Sequence, residues 1–432
     1  MTRRFRGLPL LVAAVAVVAL ATAACGSSSS NSSSSTSSST PSSSSGGQTA
    51  TPLKLGVLLP HTGTLAFLEP PMGKAVDLAL KDINAAGGVN GKPVSQVAAD
   101  EGTDPNISSQ GASTLLSDNV SAIIGAAASS DTLAIINKVT SAKVVECSPS
   151  NTGAALTTYP DHGYYFRTAP PDSLQSKALA NLIVSQGHSN VALVGQATEY
   201  GKGFIDGLDK ALTSSGATVA LKDSYDPTAT TFTADVSKIK ASNPDAVVII
   251  GYQETGTIIK GMIQDGIGPK QVPIYVADGA QSADLWKSVD PHNPAVLVGV
   301  GGTAPSAAPS NGVKSFPKEF AAFAPGVDTI YSAQAYDCAV VIALAADEAK
   351  SNAPTDFVSH MNDVTKGGTK CTSYKQCLQL IQSGTNIDYD GASGPLDFSS
   401  VGEPSVGTYD VWKFDKKGAI QTVKQTVVTP TS

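Results

Sequence analysis

From residue 52 onward the chain alternates short runs of leucine and β-branched residues with stretches of helical period. Residues 53–59 form a nearly continuous apolar run, the pattern of a strand buried on both faces. Residues 73–86 then place Val76, Ala79, Leu80 and Ile83 on one helical face, and Gly87 and Gly88 stop the helix. Residues 120–124 and 143–146 read as the next strands, each preceded by a helical segment. The pattern restarts near residue 190. A strand over 190–195 leads through a polar loop into a helix over 204–214 with Ile205, Leu208 and Leu212 facing inward. Strands at 218–224, 246–250 and 273–277 follow, again with helices between them.

Such alternation predicts parallel sheets covered by helices on both faces, so the fold class is α/β. The restart predicts two similar Rossmann-like lobes. A long Ala-, Val- and Ile-rich helix over 329–350 is followed by only modest strands, at 394–398, 409–414 and 419–428. The last two read as a hairpin turned at Lys417 and Gly418, a tail that must add strands to an earlier lobe. Two lobes linked by several crossings form an architecture that closes around a ligand by hinge motion.

The N-terminus sets the compartment. Arg3, Arg4 and Arg6 precede an apolar stretch over 8–21, and the small residues 21–24 lead into Cys25. Residues 1–24 therefore read as a signal peptide. The segment resembles the lipobox of bacterial lipoproteins, which implies that Cys25 is lipidated and becomes the mature N-terminus. Thr22 stands where that motif usually has leucine. An ordinary signal peptide that leaves Cys25 as a thiol is the plainer alternative, and Arg3, Arg4 and Phe5 faintly resemble a twin-arginine signal. Residues 25–52 are Ser-rich with almost no large apolar group, and are expected to form a disordered linker. Such a tether spans roughly 30 Å root-mean-square. No later apolar run has membrane-spanning length.

The formal net charge is −7, and loss of the three signal arginines takes it to −10. An acidic body without basic clusters argues against nucleic acid. Outside the cell, Cys371 and Cys377 are expected to pair, while Cys147 and Cys338 either bridge or stand as two buried thiols. The four lack zinc-site spacing.

Nine segments in order carry a family resemblance: 54–66, 73–88, 124–130, 148–152, 164–170, 199–203, Gly251 with Tyr252, Asp278 with Gly279, and 387–396. Together they are similar to the Leu/Ile/Val-binding proteins, the solute-binding subunits of amino-acid ABC importers. The resemblance implies a type I periplasmic-binding architecture with three crossovers, near 167–170, 301–305 and 394–397. The lobes would comprise 53–168 with 306–393, and 169–305 with 394–428.

A free amino acid carries a carboxylate and an ammonium on one carbon, so its site needs donors beside a fixed negative charge. Ser129 and Ser130 stand where a strand gives way to a helix, and a helix N-terminus favours an anion. The same serines would serve equally as plain helix caps. By resemblance, Ser129 and the Ser150, Asn151 and Thr152 loop hold the carboxylate, Asp278 meets the ammonium, and Tyr200 and Tyr252, expected at strand ends, close over the ligand. Asp131 would repel a ligand carboxylate unless it turned away. The loop over 67–72 departs from the leucine binders and is expected to touch the ligand side chain, so branched-chain specificity does not transfer.

Enzyme motifs are missing: no G-x-S-x-G elbow, H-E-x-x-H or Walker loop occurs, and His61, His162, His188, His292 and His360 are scattered. Residues 299–304 match G-x-G-x-x-A, but Pro305 and Pro309 follow instead of a helix. The sequence therefore predicts a monomeric, non-enzymatic, lipid-anchored solute-binding protein on the outer face of the cytoplasmic membrane. It would use no cofactor and deliver an amino acid or amide-like ligand to an ABC permease. A sensory receptor of the same fold and a secreted hydrolase are the alternatives.

Overall fold

The computed structural model describes residues 51–308 and 314–430. The expected signal peptide, Cys25 and nearly all of the linker lie outside the described residues. Strands β1 (Lys54–Leu59), β2 (Ser95–Asp100), β3 (Ala122–Gly125), β4 (Val145–Ser148) and β5 (Tyr165–Arg167) form one sheet. Its order is β2-β1-β3-β4-β5 and every pairing is parallel. Helices α1 (Glu69–Ala85), α2 (Pro105–Ser117) and α3 (Ser129–Ser141) connect these strands. α1 begins four residues before its apolar period does, because Pro70 and Pro71 fit a first turn that needs no N–H donors. Asp104 starts α2 by accepting from the amides of Asn106 and Ile107 at 2.8 and 3.2 Å. β2 escapes the sequence pattern because it is a half-exposed edge strand with no apolar run.

The second sheet contains β6 (Asn190–Gln196), β7 (Thr218–Tyr225), β8 (Ala246–Ile250), β9 (Ile274–Val276) and β10 (Val300–Pro305), all parallel. α4 (Asp172–Ser185) and α5 (Glu199–Ser214) flank it. A small sheet of β11 (Thr369–Cys371), β12 (Ile387–Gly391) and β13 (Gly394–Pro395) follows in the chain. The tail hairpin, β14 (Gly407–Phe414) with β15 (Ile420–Val428), then joins the second sheet antiparallel along β10. The full order is β15-β14-β10-β9-β8-β6-β7.

Between the sheets the chain crosses three times. The third crossing corrects the expected boundary at Gly394, for residues 394–404 stay beside the first sheet. The Phe398 ring stacks on Phe166 with centroids 6.2 Å apart, and the Arg167 amide donates to Gly402 O at 2.9 Å. The cause is Arg167 itself, fully buried, whose charge must be met locally. Glu403 supplies the carboxylate, accepting from Nε at 2.9 Å and from Nη2, while Gly153 O accepts from Nη1 at 2.9 Å.

The long helix spans Ser332–Glu348 and is buried all round, which explains its Ala-rich composition. It is shorter at its start than predicted because Tyr331 adopts the left-handed conformation, with φ 55°. A disulfide joins Cys147 on β4 to Cys338 on this helix, with Cα atoms 5.8 Å apart. A second joins Cys371 to Cys377, Cα atoms 5.3 Å apart. Asp337 ties the helix to the β12–β13 turn. Its oxygens accept from Tyr389 Oη at 2.7 Å, Ala392 N at 2.8 Å, and Ser393 N and Oγ at 2.7 and 2.5 Å.

The Cys147–Cys338 bridge closes a separation of 191 residues. In the chain-entropy model such a loop contributes about 5 kcal/mol. The paired variant Cys147→Ala, Cys338→Ala should therefore lower the denaturation midpoint markedly; an unchanged midpoint would contradict the bridge. Burial pushes the Asp337 carboxyl up to about 6, against the pull of its four hydrogen bonds. The unfolded chain releases that proton near the ordinary carboxylate value, so between about pH 4 and pH 6 the folded state binds more protons. Stability should fall as pH rises through that window, by about 3 kcal/mol from this group. Asp337→Asn should flatten that slope in denaturant titrations at pH 4, 5 and 6.

Candidate ligand-binding site

A nearly closed cleft, with a free volume of about 10 Å³, lies between the C-terminal strand ends of the two sheets. This is where open α/β sheets place their ligands. Leu65, Leu68, Ala127, Ser129, Ser150 and Thr152 line one side, and Tyr200, Tyr252, Asp278 and Gly279 the other, with Tyr331 between them. The walls must part to admit a ligand, as hinged lobes do.

The first wall is built from the end of β3. Gly125, at φ 122°, brings its Cα so close to Leu58 O that a Cβ would sit 1.9 Å from it. Only glycine permits that approach. The following loop, 126–128, is pinned from behind. Glu101, fully buried, accepts from the amides of Ala127 and, at 3.1 Å, Ala128. The Asn151 amide donates to the carbonyls of Ala126 and Ala127 at 3.1 and 2.8 Å, and Ser148 Oγ donates to Ala126 O at 2.6 Å. Ser150 Oγ donates to Ala127 O at 3.2 Å. Ser129 then begins α3. Its hydroxyl accepts from Gly153 N at 3.1 Å, which leaves the hydroxyl hydrogen for a ligand.

Two expected residues do not reach the cleft. Ser130 points away, its Oγ donating to Asp131 Oδ1 at 3.3 Å. Asn151 spends its amide on the loop carbonyls and takes Tyr165 Oη at 2.9 Å on its own oxygen, so it supports the wall without forming it. Asp131 does turn away, beneath α3. Burial pushes its carboxyl up to about 7 and drives Glu101 upward as well, with the Asp131 charge adding to the latter. Burial thus raises the proton affinity of both carboxyls behind this wall.

On the second wall Tyr200 stands in the first turn of α5, not at a strand end, because Thr198 caps the helix and starts it earlier than its apolar period. Tyr252 follows β8, and the two rings stack with centroids 5.5 Å apart. Asp278 follows β9 in a short 3-10 turn. Gly279 must lack a side chain, since a Cβ would come within 2.8 Å of the Tyr252 ring. The Asp278 carboxylate accepts from Tyr331 Oη at 2.7 Å, Gln175 Nε2 at 2.7 Å and Tyr200 Oη at 3.3 Å. Burial raises its proton affinity, and these donors lower it.

Sequence reading missed Leu65, Gln175 and Tyr331. Gln175 carries a faint signal, three residues after Asp172 on a helix face. Tyr331 carries none, because it reaches Asp278 from 53 residues away. Among the described residues no group of three His, Cys, Asp or Glu could hold a metal, and no helix is long and apolar enough to cross a membrane.

A family model described as periplasmic binding protein matches residues 52–401. Leu/Ile/Val-binding protein homolog 1 of Brucella melitensis is 27% identical over 377 residues, covering 86% of this chain and 92% of that protein. A chemotactic signal transduction system substrate-binding protein, BasB, of Halobacterium salinarum is 26% identical over 368 residues, covering 82% and 86%. The crystal structure of the leucine binding protein LivK of Thermotoga maritima superposes with a TM-score of 0.74 at 21% identity, covering 88% of this chain and 99% of that one. With the family model spanning the first sheet, most of the second and the cleft between their strand ends, the chain belongs to the periplasmic binding protein family.

Proposed function

We propose that this protein is an exported, lipid-anchored receptor that captures a free amino acid or a close relative in the cleft and presents it to an ABC permease. The observation that carries the reading is the pairing of two poles in one small cavity. Ser129 offers a hydroxyl hydrogen at a helix N-terminus, and Thr152 stands beside it. Asp278 faces them as a buried carboxylate. A zwitterion satisfies both poles, an anion or a cation only one. Leu65, Leu68 and the stacked tyrosines provide an apolar surround for a side chain. The leucine-binding and Leu/Ile/Val-binding names of the related proteins support the same ligand class.

In this reading residues 53–168 with 306–404, and 169–305 with 405–428, act as two jaws of a monomer, and no step of chemistry follows closure. Cys25 ties the jaws to the membrane through the serine-rich tether. A sensing role has specific support as a second reading, since the Halobacterium relative is named for chemotactic signal transduction. Uptake of the ligand by membranes carrying the adjacent permease, lost on deleting this protein, separates transport from sensing.

A thermal-shift screen over amino acids, amides and short peptides should find a ligand; at a hundred times its dissociation constant it stabilises the fold by about 2.7 kcal/mol. Asp278→Ala should then weaken an amino-acid ligand by about 2–4 kcal/mol, through loss of the buried countercharge. Calorimetry giving an unaltered affinity would remove Asp278 from the site. Cys25→Ser should release the protein into the medium, and retention on membranes would contradict lipidation.

A further inference from the structure

Asp172 is 1% exposed and occupies the first position of α4. A carboxylate there normally takes the free amide hydrogens of its own helix. Here neither oxygen has a partner in good hydrogen-bond geometry, and the Thr152 side chain lies near enough to favour the ionised form. The residue is held in place through its backbone, whose amide donates to Thr152 O at 2.7 Å. Gln175, one turn along the same helical face, donates to Asp278 at 2.7 Å. Asp172 therefore stands behind the cation pole of the cleft, between a residue that lines it and a residue that grips its carboxylate.

The charged groups that face it offer little relief. Asp278 repels its ionised form, and Arg167 is already committed to Glu403, Gly153 O and Thr157 Oγ1. Tyr200, Tyr331 and Tyr409 complete the surround as neutral phenols, their own ionisation suppressed by burial. Burial first, and the Asp278 charge second, push the Asp172 carboxyl well above the ordinary range. Asp278 differs, because three donors hold it as an acceptor.

We propose that Asp172 is the second carboxylate of the cation pole, protonated in the empty cleft and ionised when a ligand ammonium enters, so that capture selects amine-bearing solutes and releases a proton. In the step one O–H bond of Asp172 breaks and its proton passes to solvent. The ammonium keeps its three hydrogens and lies against Asp278, with the Asp172 charge behind it. Below the pH at which free Asp172 ionises, affinity falls by up to about tenfold per pH unit. The proposal rests on the cleft being an amino-acid site.

The test uses the full mature chain labelled with 13C-aspartate. At pH 7 without ligand, the infrared difference between wild type and Asp172→Asn should contain one protonated-carboxyl band. Asp172→Thr takes that place if the asparagine variant does not fold. Saturating L-leucine should erase the band in wild type, and calorimetry in buffers of different ionisation enthalpy should show release of about one proton more per leucine than in the variant. A ligand-free difference spectrum without the band overturns the proposal, as does leucine binding with equal proton release in both proteins. Leucine giving neither heat nor stabilisation counts against the amino-acid reading for that ligand, while the ligand-free band still decides whether Asp172 carries the proton.

Discussion

The buried carboxylate of Asp278 is the constraint around which the cleft is organised. Taking such a charge out of water costs several kcal/mol, and among the described residues its hydrogen-bond partners are all neutral. Its partners are Gln175 from α4, Tyr200 from α5 and Tyr331 from the turn before the long helix. Three elements far apart in the chain must therefore converge to within a few tenths of an ångström. Hydrogen bonds from neutral donors leave the charge only partly satisfied, and in the proposed reading a ligand ammonium completes it.

The opposite wall works by rigidity. Loop 126–128 is held by Glu101, Ser148, Ser150 and Asn151. What stays available is the Ser129 hydroxyl hydrogen at the helix start. A wall fixed before the ligand arrives loses little entropy on binding. The Cys147–Cys338 bridge anchors the neighbouring strand to the long helix, and Arg167 with Glu403 locks the third crossing. Rigid walls and crossings leave closure as the motion a ligand would have to drive.

The comparison of expected and observed residues separates two kinds of signal. Tyr200, Tyr252, Asp278, Ser129, Ser150 and Thr152 line the cleft, and each lies at the end of a strand or the start of a helix, where periodicity breaks visibly. Ser130 and Asn151 occupy equally suggestive positions yet face away, because adjacent residues at a helix start point in different directions and the loop carbonyls demanded a donor. Asp131 turns away from the cleft, and burial raises its carboxyl to about 7.

Local physics made the strand and helix order, the α/β class, the tail hairpin and the short disulfide legible, since each depends on residues within a few turns of one another. Family resemblance added the first two crossovers and pointed to most residues that line the cleft. Tertiary structure alone decided that Cys147 meets Cys338, that the third crossing waits until after Glu403, and that Gln175 and Tyr331 share one carboxylate. Those contacts join positions more than a hundred residues apart or hinge on a single buried charge, and no window of sequence carries the geometry that brings them together.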